Sequence, residues 1–241
     1  MPLLRLALAI LLGLAATGLA GATEPDEPPV LEHTPDMIPD TAPTGFYARF
    51  DAGVALFRQP SMSSRGTPVR HYSDPTIDPA ATVGFGAGLK ATEWLRGDVT
   101  VDLTTPAAYS AGSRCPGCKA ARKTSDQSSV ATLAVLLNGY LDFAPMGPVT
   151  PYVGAGIGGA MAWFDDVHFR AACNCTGTRS GGSQLNLAWA LSAGAAVELT
   201  PTVSLDLGYR YLSIGSVKMT RATLDDLGTH QVRLGARVGF W

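Results

Sequence analysis

Leu95-Arg96-Gly97-Asp98-Val99-Thr100-Val101-Asp102-Leu103-Thr104 decides the fold. Leu95, Val99, Val101 and Leu103 share one face of an extended chain, and Arg96, Asp98, Thr100 and Asp102 share the other. A period of two is the signature of a β-strand with one apolar and one polar side.

Seven further segments repeat this rhythm on either side of it. Phe46 to Phe57 sets Phe46, Ala48, Phe50, Ala52, Val54 and Leu56 against Arg49, Asp51, Gly53 and Ala55. Ala81 to Ala91 sets Val83, Phe85, Ala87 and Leu89 against Thr82, three glycines and Lys90. Ser129 to Leu141 has Leu133, Val135, Leu137 and Leu141 opposite Thr132, Asn138 and Tyr140, with Leu136 breaking the pattern. Pro151 to Trp163 is rich in Gly and Ala, with Val153, Ala155, Ile157 and Met161 on the apolar side. Leu187 to Leu199 puts Ser192, Gly194 and Glu198 inward. Val203 to Tyr211 does the same with Ser204, Asp206, Gly208 and Arg210, and His230 to Trp241 with Arg233, Gly235 and Arg237.

The connections alternate in length. Arg58–Pro79, Thr105–Gln127, Asp165–Asn186 and Leu212–Thr229 are long. The turns near Thr92-Glu93-Trp94, Asp142–Thr150 and Thr200-Pro201-Thr202 are short. Short turns at one end and long loops at the other are the asymmetry of a transmembrane barrel, and tilted strands of about ten residues cross the apolar layer. The sequence therefore predicts an all-β fold, an eight-stranded antiparallel up-and-down transmembrane β-barrel with short periplasmic turns and four long outer loops. Composition alone fits a soluble exported enzyme as well. Aromatic residues cluster at both ends, with Phe46, Trp94, Phe143, Tyr152, Phe240 and Trp241 at one and Phe57, Trp163, Phe164, Trp189, Tyr209 and Tyr211 at the other. They suit two interfacial girdles.

Residues 1–22 read as a secretory signal peptide. Arg5 is followed by an uncharged apolar run from Leu6 to Ala20, and Ala20-Gly21-Ala22 has the small-residue spacing of a cleavage site. Residues 23–43 read as an acidic, Pro-rich, disordered N-terminal arm: Glu24, Asp26, Glu27, Glu32, Asp36 and Asp40 come with no Lys or Arg. Residues 44–241 are expected to form the barrel. The whole chain has 18 basic and 20 acidic residues. Setting aside Arg5 and the six acids of the arm leaves 17 against 14, a mildly basic body near +3.

These segments resemble the porin-like and opacity-protein-like family of eight-stranded outer-membrane barrels, with the architecture of the OmpA barrel. The resemblance is carried by Gly45 to Gly53, by Pro151 to Gly158, and most clearly by Leu205-Asp206-Leu207-Gly208-Tyr209-Arg210-Tyr211. It implies that Val232, Leu234, Ala236, Val238, Phe240 and Trp241 carry a C-terminal insertion signal; the aromatic that keeps the alternation is Phe240, one residue before the end. It also implies the cell outer membrane as location. Outer-membrane lipid and lipopolysaccharide are the expected surroundings, the barrel assembly machinery the partner during insertion, and host or surface ligands the partners of the loops. No nucleic-acid partner and no cofactor are expected.

The inward faces carry Arg49, Asp51, Lys90, Arg96, Asp98, Asp102, Glu198, Asp206, Arg210, Arg233 and Arg237. An eight-stranded interior is just wide enough for side chains, so these charges are expected to pair as a structural plug, with Arg233 and Arg237 opposite Asp51. A narrow conductive path is the alternative. Four cysteines, Cys115, Cys118, Cys173 and Cys175, fall in two outer loops. An oxidising periplasm favours disulfides, within or between these loops, and a four-thiolate metal site near His168 is the other reading. Arg114, Lys119, Arg122 and Lys123 are candidates for contact with lipid phosphates. His230 shares the outward face of the last strand, where lipid A-modifying barrels place a His and a Ser, but Val232 stands where the Ser would be. The expected function is a structural and surface-interaction role, in envelope integrity, adhesion or recognition. A lipid A-modifying enzyme and a small porin-like channel are the alternatives.

Overall fold

A computed structural model describes residues 45–59, 61–64, 69, 71–116, 123–171, 173, 175–218, 222–225 and 227–240. The expected signal peptide and arm, and Cys118, Lys119, Arg122 and Trp241, lie outside them. The described residues form strands β1 (Gly45–Phe57), β2 (Ser61–Ser64), β3 (His71–Ile77), β4 (Ala80–Lys90), β5 (Leu95–Arg114), β6 (Lys123–Asp142) and β7 (Val149–Phe164). They continue with β8 (Val167–Ala171), β9 (Thr176–Arg179), β10 (Gly182–Glu198), β11 (Val203–Ser213), β12 (Val217–Lys218), β13 (Ala222–Asp225) and β14 (Gly228–Phe240).

Eight of these strands make the barrel. Antiparallel ladders run β5-β4-β1-β14-β11-β10-β7-β6, and β6 pairs back to β5, so the row of strands returns on itself. The first and last barrel strands zip along their whole length, from Phe46 opposite Phe240 to Phe57 opposite Thr229. The apolar stripes face outward, with Phe50, Phe85, Val99, Leu137, Ile157, Leu191, Leu207 and Leu234 all exposed. Exposed hydrocarbon on this scale is stable only against lipid.

The short turns are held by local hydrogen bonds. Thr92 Oγ1 accepts from the backbone N–H of Leu95 (2.9 Å) and Thr200 Oγ1 from that of Val203 (3.0 Å). Gly147, at φ 64° in the turn between β6 and β7, supplies a left-handed conformation that a side chain would disfavour.

The outer connections depart from the expectation of loops. β5 and β6 continue past the barrel rim as one hairpin, to Arg114 opposite Lys123. A register shift between Thr104 and Ala107 marks the rim. Pro106 lies there and has no N–H for the ladder, so a bulge is the natural outcome. The bulge reverses the alternation: Asp102 and Thr104 point inward before it, Tyr109 and Ala111 after it. That reversal ended the legible rhythm at Thr104. β3 adds to the flank of this hairpin, β8 pairs with β6, and β9 with β8. β12, β13 and β2 form a separate small sheet.

Three aromatic assignments change. Tyr152 points into the lumen, Phe164 into an apolar core, and Phe57 packs against that same core, so none of them belongs to a girdle. Phe46, Trp94, Phe143 and Phe240 are exposed at the end with the short turns, and Trp189 and Tyr209 toward the other.

Leu137 sits near the middle of the lipid-facing column of β6. Leu137→Arg should therefore lower stability by about 2–4 kcal/mol, the cost of a cation at the bilayer midplane. Urea unfolding in phospholipid vesicles measures this; an unchanged midpoint would remove Leu137 from the lipid face.

Candidate functional site: lumen and outer surface

Toward the end with the short turns, the lumen is filled by a layer of ion pairs. Five arginines (Arg49, Arg96, Arg210, Arg233, Arg237) meet five aspartates (Asp51, Asp98, Asp102, Asp142, Asp206). Arg49 grips Asp51 at 2.8 Å and reaches Asp98 at 3.0 Å. Tyr47 donates to the same Asp98 carboxylate (3.0 Å), and Asn138 Nδ2 donates to its other oxygen (2.8 Å). Asp102 sits between Arg210 and Arg233, and Arg233 also reaches Asp51 at 3.3 Å. Arg96 donates to both oxygens of Asp142 and lies between the rings of Tyr140 and Tyr152, 4.4 and 4.7 Å from their centroids. Equal and opposite charges in contact offset the desolvation that buried ions otherwise suffer.

Glycines make room for these long side chains. A Cβ at Gly84 would collide with Arg233 and Asp102, and one at Gly156 with Asn138. The space left beside Arg49, Asp51 and Arg210 is about 10 Å³, room for about one water.

Three sequence expectations shift here. Arg237 pairs with Asp206 at 2.6 Å rather than with Asp51. Lys90 and Glu198 keep the inward phase but stand at the mouth, lining a vestibule of about 390 Å³ with Glu93 and Asp142. They sit beyond the last ring of pairs, at the open end of the lumen. Asp142, Tyr47 and Tyr152 join the network although sequence reading left them out. Parity was the available signal: Asp142 follows Asn138 and Tyr140 in steps of two, and Tyr47 precedes Arg49 and Asp51.

Above the ion pairs the lumen turns apolar. Ala134, Leu136, Ala160, Ala162, Ala188, Ala190 and Leu212 from the barrel wall pack with Ile214, Val217, Leu224 and Leu227 from the last outer connection. This explains Leu136, which broke the alternation on paper: it faces a greasy stopper, with none of its surface exposed. β13 is tied to β2 through Leu224 opposite Met62, and Met62 Sδ accepts from the Tyr109 hydroxyl at 3.0 Å. Burial, with Asp126 nearby, pushes the Tyr109 phenol well above its usual pKa. Outer segments thus close the mouth from above.

Outside the rim, a cleft of about 1120 Å³ runs along the flank of the outer hairpin, lined by Asp78, Ser110, Ser129, Trp163, Asp165 and His168. Several of its groups already have partners. Ser129 donates to the Asp165 carboxylate, Ser128 donates to the Asp165 carbonyl at 2.8 Å, and His168 Nδ1 lies 3.2 Å from Thr178 Oγ1. No described serine is held by an imidazole as an activated nucleophile would be. His71 is exposed on β3, and His230 faces outward beside the Tyr209 hydroxyl.

Cys173 and Cys175 form a disulfide with each other. Cys115 is also disulfide-bonded. Cross-linking of the two loops through Cys173 or Cys175, and a four-thiolate metal centre, are therefore replaced by a local bridge. Among the described residues no cluster of three or more His, Cys, Asp or Glu side chains is placed to hold a metal. Arg114 and Lys123 face each other, exposed, at the outer end of the hairpin.

Comparison with known proteins agrees with this geometry. The family described as "Outer membrane protein beta-barrel domain" matches residues 7–240. A protein of Brucella suis biovar 1 (strain 1330) is 29% identical over 237 residues, covering 86% of this chain and 81% of that protein. A protein of Rickettsia bellii (strain OSU 85-389) named "Putative adhesin" is 26% identical over 197 residues, covering 80% and 83%. Among solved structures, Neisserial surface protein A (NspA) superposes with a TM-score of 0.52 at 20% identity, covering 81% of this chain and 97% of its own. The outer membrane protease OmpT from Escherichia coli reaches 0.50 at 9% identity, covering 81% and 97%. Both show a shared fold.

Asp102→Ala would leave Arg210 and Arg233 without their common partner. Stability should fall by about 3–5 kcal/mol, as for other broken buried pairs, read as a lowered unfolding midpoint; a loss below 1 kcal/mol would show the network to be incidental. Alkylation before reduction should leave Cys173 and Cys175 unlabelled and alkylation after reduction should label both; labelling without reductant would contradict the bridge.

Proposed function

Because this chain belongs to the outer membrane protein β-barrel domain family and resides in the outer membrane, we propose that it is a non-conducting, non-enzymatic anchor presenting a β-structured outer surface for attachment or recognition. The observation that carries this reading is the double filling of the lumen. Buried ion pairs occupy one half, and an apolar stopper drawn partly from the outer connections occupies the other. A pore needs a continuous wet path, which neither layer offers.

The elaborated part of the molecule lies outside the rim. From Thr104 to Arg114 the hairpin runs ten residues, about 33 Å along the strand. Arg114 and Lys123 at its end therefore address an external anionic partner rather than the phosphates of the leaflet from which the barrel emerges. The name of the Rickettsia relative points the same way. Lipopolysaccharide surrounds the barrel on this reading. β14, with Val232, Leu234, Ala236, Val238 and Phe240 on its outward side, presents the insertion signal to the barrel assembly machinery.

In planar bilayers the purified protein should show no stable single-channel openings; reproducible openings of the wild type would replace the anchor with a channel. Cells displaying the protein should attach to epithelial monolayers, and the Arg114→Gln/Lys123→Gln double variant should attach several-fold less. Equal attachment by cells with and without the protein would remove the adhesive role.

A further inference from the structure

We propose that the outward face of β10, β11 and β14 holds a binding site for the phosphorylated sugar headgroup of an outer-leaflet lipid, built on Trp189, Tyr209, Tyr211 and His230.

The six outward positions of β14 read His230, Val232, Leu234, Ala236, Val238 and Phe240. One imidazole thus ends a column of otherwise apolar groups. Its height follows from the strand. Phe240 lies at the end with the short turns, and ten residues separate it from His230. Ten residues span about 33 Å of strand, and a tilt of about 40° reduces this to about 25 Å, the height of the apolar band. His230 therefore stands where hydrocarbon gives way to headgroups.

Three aromatic neighbours surround it. The Tyr209 hydroxyl lies 2.6 Å from His230 Nδ1. The Tyr211 ring is 5.1 Å from the imidazole, and Trp189 is 5.4 Å from Tyr211. Trp189, Tyr209 and His230 are exposed. Together they form a continuous surface of ring faces over three strands.

The hydrogen-bonding inventory of the pair points outward. With the phenol donating to Nδ1, a neutral imidazole carries its proton on Nε2. With Nδ1–H donating to the phenol oxygen, the phenol proton is released for another acceptor. With the imidazole doubly protonated, Nε2–H again remains. Every arrangement leaves at least one donor beyond the internal contact. Such a donor on a lipid-facing wall is costly unless an acceptor meets it. At this height the competing acceptors are interfacial water and lipid headgroups, and a phosphate is the strongest among them. Arg58 stands close by: it follows β1, its side chain is exposed, and its backbone N–H donates to the Gly228 carbonyl on β14 at 2.8 Å. The ring faces suit the apolar faces of a sugar, and the site is continuous with the lipid-bound belt below it.

The test uses the full-length mature protein in nanodiscs, with diphosphorylated and dephosphorylated lipid A as probes and native mass spectrometry to count retained lipid. The wild type should retain the phosphorylated form about tenfold more, the worth of one hydrogen bond to a charged group. Tyr209→Phe and His230→Phe should each abolish that preference while keeping heat-modifiable gel migration. Tyr209→Phe removes one oxygen only, so it remains informative should the histidine variant not fold. Arg114→Gln/Lys123→Gln should keep the preference. The site is refuted by a wild type that retains both lipids equally, by folded Tyr209→Phe protein that still discriminates, or by loss of discrimination in the hairpin variant alone.

Discussion

Hydrocarbon offers no partner to a backbone N–H or C=O, and this single constraint governs the whole chain. Each unsatisfied group would cost several kcal/mol, so the sheet must have no free edge where it crosses the membrane. The seam between β1 and β14 meets that demand with an unbroken register from Phe46–Phe240 to Phe57–Thr229, and the β5–β6 ladder meets it on the far side. The alternation of side chains is then obligatory. Every residue that is not turned to lipid is turned to a lumen of fixed and small width.

That width explains the chemistry inside. Eight strands leave room for side chains and little else, so each charge must meet its opposite within the layer. Asp102 serves two arginines from two other strands, and Asp98 serves Arg49, Tyr47 and Asn138. These contacts link β1, β5, β6, β11 and β14 across the axis, adding cross-ties to a wall whose ladders join only neighbours. Arg96 is fixed between two tyrosines by the same scarcity of space. Shape and charge balance are thus one problem, solved in part by glycines on β4 and β7 where an inward side chain of a nearby strand crowds the wall.

Much of this was legible before any coordinates. The rhythm of Leu95 to Thr104 shows which groups face inward because its period has no phase error over ten residues. The barrel followed from it; the family and the location came from the resemblance carried by the segments at Gly45, Pro151 and Leu205, and the family match agrees. Reading failed where the rhythm met a second influence. Pro106 resets the phase of β5, so the outer hairpin looked like coil. Leu136 belongs to a stopper completed by Leu224 and Leu227, nearly ninety residues away, and no local pattern announces such a partner. The exchange of partners by Arg237 depends on strand tilt and register, which set which inward residues share a level. The pair of His230 and Tyr209 is likewise a product of register, joining columns on β14 and β11 that are separate in sequence.

The stopper divides the exterior into two kinds of surface. Val217, Leu224 and Leu227 belong to an outer connection, yet they are buried as deeply as any core residue. Arg114 and Lys123 also lie outside the membrane, but at the far end of the hairpin, where their own side chains are exposed. Immune pressure or laboratory grafting therefore has a permissive address and a forbidden one. A foreign epitope spliced at the hairpin end leaves the mouth shut, whereas the same peptide inserted beside Leu224 pulls the cork as it changes the face of the cell.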